Sequence, residues 1–261
     1  MSASLAVENL GLCWDSLDDM FEGLTADQWA RSSLCPGWTV RDVMVHLAAI
    51  ENMLSGEAPG SMTEGLLFNK VADWMNDVTE LDNDGVFERY RQLIAERRSE
   101  LSGITDEELA LPSATPLGPG TYGRFMAMRV FDFWVHEQDI RVPLGLAGHQ
   151  SGAAADMAID EIHQSLPYII GKKIGLPDGK SITIELEGGV QRTMHVAVTG
   201  RAGLVPDLAA PDVVLKADST AFALLACGRI DPQGPIDDGR ISWAGDATWG
   251  EAAARNLAFT M

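Results

Sequence analysis

The sequence predicts two domains of different class: an all-helical bundle over residues 1–150, then a smaller α+β domain over 151–261 with a mainly antiparallel sheet. Three observations carry that reading. Apolar residues recur with a 3.6-residue period through the first 145 positions, the mark of amphipathic helices. Beyond Gly148 the pattern changes to strand-like alternation. The charge is also uneven, with 24 acidic and 10 basic residues up to position 150 against 14 and 9 beyond it.

The first helix is expected over 4–24, with Leu10, Cys13, Trp14, Leu17 and Phe21 on one stripe. Thr25 and Gln28 have capping-box spacing, and Cys35-Pro36-Gly37 breaks the chain. Thr39 is the next N-cap, opening a helix over 40–55 on which Val43, Leu47, Ile50 and Leu54 share a face. Further helices are expected over 63–78 and 84–102, then a Pro- and Gly-rich loop over 111–123. A last long helix over 124–141 is ended by Pro143 and Gly145. Long helices with short connections make a four-helix bundle the economical architecture. In the second domain a helix is expected over 152–171. Strands follow at 181–186 and 193–198, joined at Gly188-Gly189, then a strand at 212–216, a helix at 219–227, a strand at 239–243 and a helix at 248–259.

Composition narrows the function. The chain has 261 residues, 46% hydrophobic and 22% charged, which is the make-up of a folded globular protein. A formal charge of −19 argues against nucleic acid or an anionic membrane as partner. No apolar run reaches the ~18 residues needed to span a bilayer, and the N-terminus lacks the basic-then-apolar order of a signal peptide. Three scattered cysteines, Cys13, Cys35 and Cys227, suit free thiols in a reducing compartment. The expectation is a cytoplasmic protein, monomer or homodimer, acting on a small molecule.

The chemistry concentrates in three side chains. His46 lies three residues after Val43 and four before Ile50, on the apolar stripe of its helix. His136 continues the stripe of Phe125, Met128 and Asp132, one turn beyond Asp132. A buried carboxylate needs a counter-charge, and a divalent metal would supply one. His46, Asp132 and His136 offer three ligands from two helices and leave a coordination position open, the mark of a catalytic site. N and O donors without cysteine suit zinc first, with nickel, iron or manganese compatible. An Asp-x-x-x-His pair is also common on solvated helix faces, and His46 on a second helix tips the balance. Asp139, three residues past His136, is a candidate to orient its second ring nitrogen.

The stretches CPGWTVRDVMVHLA at 35–48 and RVFDFWVHEQDIR at 129–141 resemble the mycothiol-dependent maleylpyruvate isomerase family, whose N-terminal domain belongs to a DinB-like metal-binding bundle superfamily. FALLACGR at 222–229 and WAGD at 243–246 resemble the family's C-terminal domain. The resemblance implies metal ligation by His46, Asp132 and His136, with Asp132 where the isomerase has Glu. It implies mycothiol as cosubstrate, and an essential arginine at Arg229 that reaches a substrate carboxylate across the interdomain cleft. A metal-bound thiolate could then isomerise an activated double bond, or be consumed in S-transfer to a small electrophile.

Trp38 and Trp134 flank the expected ligands and are candidates to wall a cofactor pocket, although bundle packing explains them equally. Cys35 has no histidine near it in sequence and reads as a small core residue. Arg229 ends a helix, where a cation is favourable in any case. No phosphate-binding loop, Gly-x-Ser-x-Gly elbow or complete calcium loop is found. The metal trio fits an isomerase or S-transferase, a non-catalytic metal or small-ligand binding protein, and a metal-dependent hydrolase that places water at the open position.

Overall fold

A computed structural model describes residues 3–260, which divide into two compact units that part between Gly148 and His149. In the first unit α1 (Ala3–Glu22) buries Leu10, Cys13, Trp14, Leu17 and Phe21, the stripe that its sequence period marks. A short turn, α2 (Ala26–Trp29), is capped by the reciprocal Thr25–Gln28 pair. Then comes α3 (Val40–Leu54), whose N-cap Thr39 accepts from the Asp42 N–H while Asp42 accepts from the Thr39 N–H at 2.8 Å. After α4 (Phe68–Val78), α5 (Asn83–Leu101) starts where Asp82 accepts from the Gly85 N–H. The short α6 (Asp106–Leu109) precedes a hairpin of β1 (Pro112–Thr115) and β2 (Gly118–Thr121), and α7 (Tyr122–Leu144) completes the unit. Helix α1 packs on α5 and α7, and α3 packs on the same two, so the four long helices close around one core.

Three local expectations are corrected. The helix expected from residue 63 starts only at Phe68, because the preceding segment is recruited by the hairpin: the Met62 carbonyl accepts from the Ala114 N–H. The Pro- and Gly-rich stretch 111–123 is a two-stranded sheet, its turn closed by Gly118 at a φ of 101°. Helix α7 runs through Pro143. The hydrogen bond this proline forfeits would go to the Asp139 carbonyl, and that oxygen instead accepts from the Leu34 N–H at 3.0 Å.

The second unit opens with α8 (Ala153–Tyr168), which passes through Pro167 into a π-helical turn over Ile169–Ile174, closed by Gly175 at positive φ. Strands β3 (Ser181–Glu187) and β4 (Arg192–Thr199) pair antiparallel, and β5 (Arg201–Leu204), which the sequence reading lacks, adds to β4. Next come β6 (Val213–Asp218), α9 (Ser219–Ala226), α10 (Gln233–Asp237), β7 (Ile241–Gly245) and α11 (Ala247–Arg255). The closing helix thus stops at Arg255 rather than 259. The sheet order is β5-β4-β3-β6-β7, antiparallel except between β3 and β6. Along β4, Met194, Val196 and Val198 are buried while the alternate positions are not, so one face is covered. No helix among the described residues is long and apolar enough to cross a membrane.

Candidate metal centre

Residues far apart in the chain meet where α3 faces α7. Nε2 of His136 lies 3.4 Å from Oδ1 of Asp132, and Nε2 of His46 lies 3.8 Å from Oδ2 of the same carboxylate. One donor atom from each of the three falls within 4.8 Å of the others. Two ligands bound tetrahedrally at about 2.1 Å from a zinc ion stand roughly 3.4 Å apart, so the trio is spaced to close on one cation with small adjustments. His136 is nearly buried at 8% side-chain exposure, whereas His46 and Asp132 keep 29% and 30%, which leaves one side of the group open to solvent.

The inner side of His136 is fixed. Its Nδ1 lies 2.9 Å from Oδ2 of the fully buried Asp139, an acceptor that keeps a proton on Nδ1 and turns Nε2 toward Asp132. The Cys35 thiol donates to the same Asp139 oxygen at 3.0 Å and sits 3.5 Å from Nδ1. Cys35, His136 and Asp139 are a second trio of potential ligands, but their contacts are those of hydrogen bonds. Cys35 is therefore not only the core residue that the sequence reading takes it for. Its proximity to His136 spans 101 positions, which no local pattern reveals.

The loop that delivers Cys35 is explained by its sequence. Pro36 and Gly37 occupy the middle of a turn closed by the Trp38 N–H donating to the Cys35 carbonyl at 3.0 Å, with Gly37 at a φ of 80°. The Leu34 N–H anchors this loop to the carbonyl that Pro143 leaves free. Trp38 is thereby held over both imidazoles, its ring centroid 5.0 Å from His46 and 6.2 Å from His136, while 37% exposed. Trp134 sits elsewhere. It is buried in the core, two positions and so roughly 200° around α7 from Asp132. Arg229, in the second unit, follows α9 and donates to the Cys227 carbonyl at 3.0 Å, as a cation at a helix C-terminus does.

The protein itself supplies one counter-charge to Asp132, beside the one that a divalent metal would supply. Arg129, one turn earlier on α7, donates through NH1 to Oδ2 of Asp132. Behind it runs a buried charge network: Arg129 Nε donates to Oε1 of Glu51 at 2.9 Å, and Arg97 Nε donates to Oε2 of Glu51 at 3.0 Å. Glu51 and Arg97 are wholly buried and Arg129 is 3% exposed. All three were legible as charges on apolar stripes: Glu51 four after Leu47, Arg97 four after Leu93, Arg129 four after Phe125. Burial opposes ionisation of Asp132, yet Arg129 and then His136 hold its carboxyl well below the ordinary range. Burial likewise opposes protonation of His136, and Asp132 with Asp139 outweighs it, keeping the imidazole well above its usual pKa.

The comparisons with known proteins decide the family. The mycothiol maleylpyruvate isomerase N-terminal domain matches residues 10–141, and the MDMPI C-terminal domain matches residues 156–254. This chain belongs to the mycothiol maleylpyruvate isomerase family. Among solved structures it is similar to the crystal structure of the mycothiol-dependent maleylpyruvate isomerase, at 13% identity and a TM-score of 0.57, over 94% of this chain and 93% of that one. A mutant of that enzyme matches over the same shares at 13% identity and a TM-score of 0.54. At that identity the likeness speaks for the fold of the family. No match is found among curated proteins.

Proposed function

We infer that this family member is a metal-dependent enzyme that uses mycothiol to act on a small electrophile, by isomerisation or by S-transfer. The observation that carries the reading is the convergence of His46, Asp132 and His136, with one side open, in a chain that matches the family in both of its parts. Nε2 of each imidazole and a carboxylate oxygen of Asp132 would hold a divalent metal, zinc best by donor type. When bound, the metal supplies a Lewis acid that favours the thiolate form of a small thiol, the form that attacks.

The chain's own residues do the rest. Asp139 fixes the tautomer and ring orientation of His136. Trp38 packs over both imidazoles. The protein needs no nucleophile of its own, consistent with a Cys35 thiol turned inward onto Asp139. Arg229 is the candidate partner for a carboxylate on the acceptor, where a fixed guanidinium would stabilise developing negative charge. Isomerisation returns the thiol at the end of the cycle; transfer consumes it.

The test is turnover of carboxylate-bearing electrophiles, followed by mass spectrometry, with mycothiol and metal each supplied or withheld. The reading predicts conversion only when both are present. Conversion without thiol would replace it by a hydrolase, and tight thiol binding without conversion by a binding protein.

A further inference from the structure

Asp132 has two oxygens with different neighbours. Oδ1 faces Nε2 of His136 at 3.4 Å, whereas Oδ2, 3.8 Å from Nε2 of His46, receives the hydrogen bond from Arg129. That guanidinium is not free to swing away. Its Nε is bound to Glu51 at 2.9 Å, its NH2 donates to the Leu47 carbonyl of α3 at 3.2 Å, and its central carbon lies 4.7 Å over the Phe133 ring. Glu51 is in turn held from its other oxygen by Arg97, which also reaches Glu100 and the Tyr122 hydroxyl. These contacts resist its displacement, and the assembly ties α3, α5 and α7 together behind the trio.

We propose that Arg129, clamped by Glu51, is a positioning residue that occupies Oδ2 of Asp132, restricts this ligand to Oδ1, and keeps a metal in the trio four-coordinate and electron-poor. The inference rests on the metal reading above and deepens it. A carboxylate that shares its charge with a guanidinium is a weaker donor than a free one, and it cannot close as a bidentate ligand while one oxygen is engaged. The cost is affinity, since a fixed positive charge stands beside the cation. The gain is a stronger acid, better able to hold a thiol as thiolate.

Cobalt(II) titration of the whole protein, read by visible absorption, separates this from a structural role, because four-coordinate cobalt absorbs far more strongly than five-coordinate cobalt. The wild-type protein should give intense four-coordinate bands. Arg129→Met should bind cobalt about tenfold or more tightly, with weaker, shifted bands as Asp132 closes with both oxygens. A folded Arg129→Met protein with the wild-type spectrum, or with weaker binding, overturns the proposal and leaves the metal reading intact. Wild-type protein that takes up no cobalt overturns both. If the single variant does not fold, Glu51→Gln/Arg129→Met, which removes both charges of the buried pair, should show the same spectral change, and an unchanged spectrum there is equally fatal.

Discussion

Asp139 acts on the candidate centre only through His136, and its influence is measurable there. Asp139→Asn keeps the shape but surrenders the charge that holds the Nδ1 proton, so metal affinity should fall by about 10–100-fold. Chelator competition measures this, and an unchanged affinity would remove Asp139 from the account. At this scale the sequence was informative where geometry is local. Asp132 and His136 share a face because they are four residues apart on one helix, and His46 lies on the stripe of Val43, Leu47 and Ile50. It was silent where contact depends on tertiary approach, as for Cys35 beside His136. Arg129 is visible as a charge three residues before Asp132 on the stripe of Phe125, and that spacing is the signal for the pair.

Caps and close packing decide the elements that carry the site. Thr39 starts α3, the helix of His46, by satisfying the Asp42 N–H. Thr39→Ala should cost about 1 kcal/mol of stability in urea unfolding and leave metal stoichiometry unchanged. In the second unit Gly250 of α11 faces Trp243 of β7, and a Cβ there would stand 2.2 Å from Cδ1 of that ring. Gly250→Ala should therefore destabilise this unit by about 1–3 kcal/mol, seen as a lowered melting transition, and a stability equal to wild type would mean that the helix repacks without cost. Long periodic helices were readable within two residues at most ends. The hairpin over 112–121 was not, because Pro and Gly dominate it and its pairing is set by the turn and by Met62. Strand β5, reading Arg-Ala-Gly-Leu, has no alternation to find and forms because β4 offers it an edge.

At the scale of the whole molecule, the charge of −19 argues against nucleic acid and anionic membranes as partners and identifies none. The change from 3.6-residue period to alternation marked a change of architecture, and the structure divides into units at 148/149. The proposed function was reachable only because separate motifs, at 35–48 and 129–141, bring candidate ligands to one place. Neither motif alone distinguishes a catalytic centre from a polar patch, and substrate preference is written in pocket shape, to which periodicity is blind. The central claim is that His46, Asp132 and His136 bind one metal. Elemental analysis of purified wild-type, His46→Ala and His136→Ala proteins tests it most directly. The account predicts about one equivalent of divalent metal per chain in the wild type and loss of that metal in both variants, with the fold retained by circular dichroism; full occupancy in either variant would contradict it.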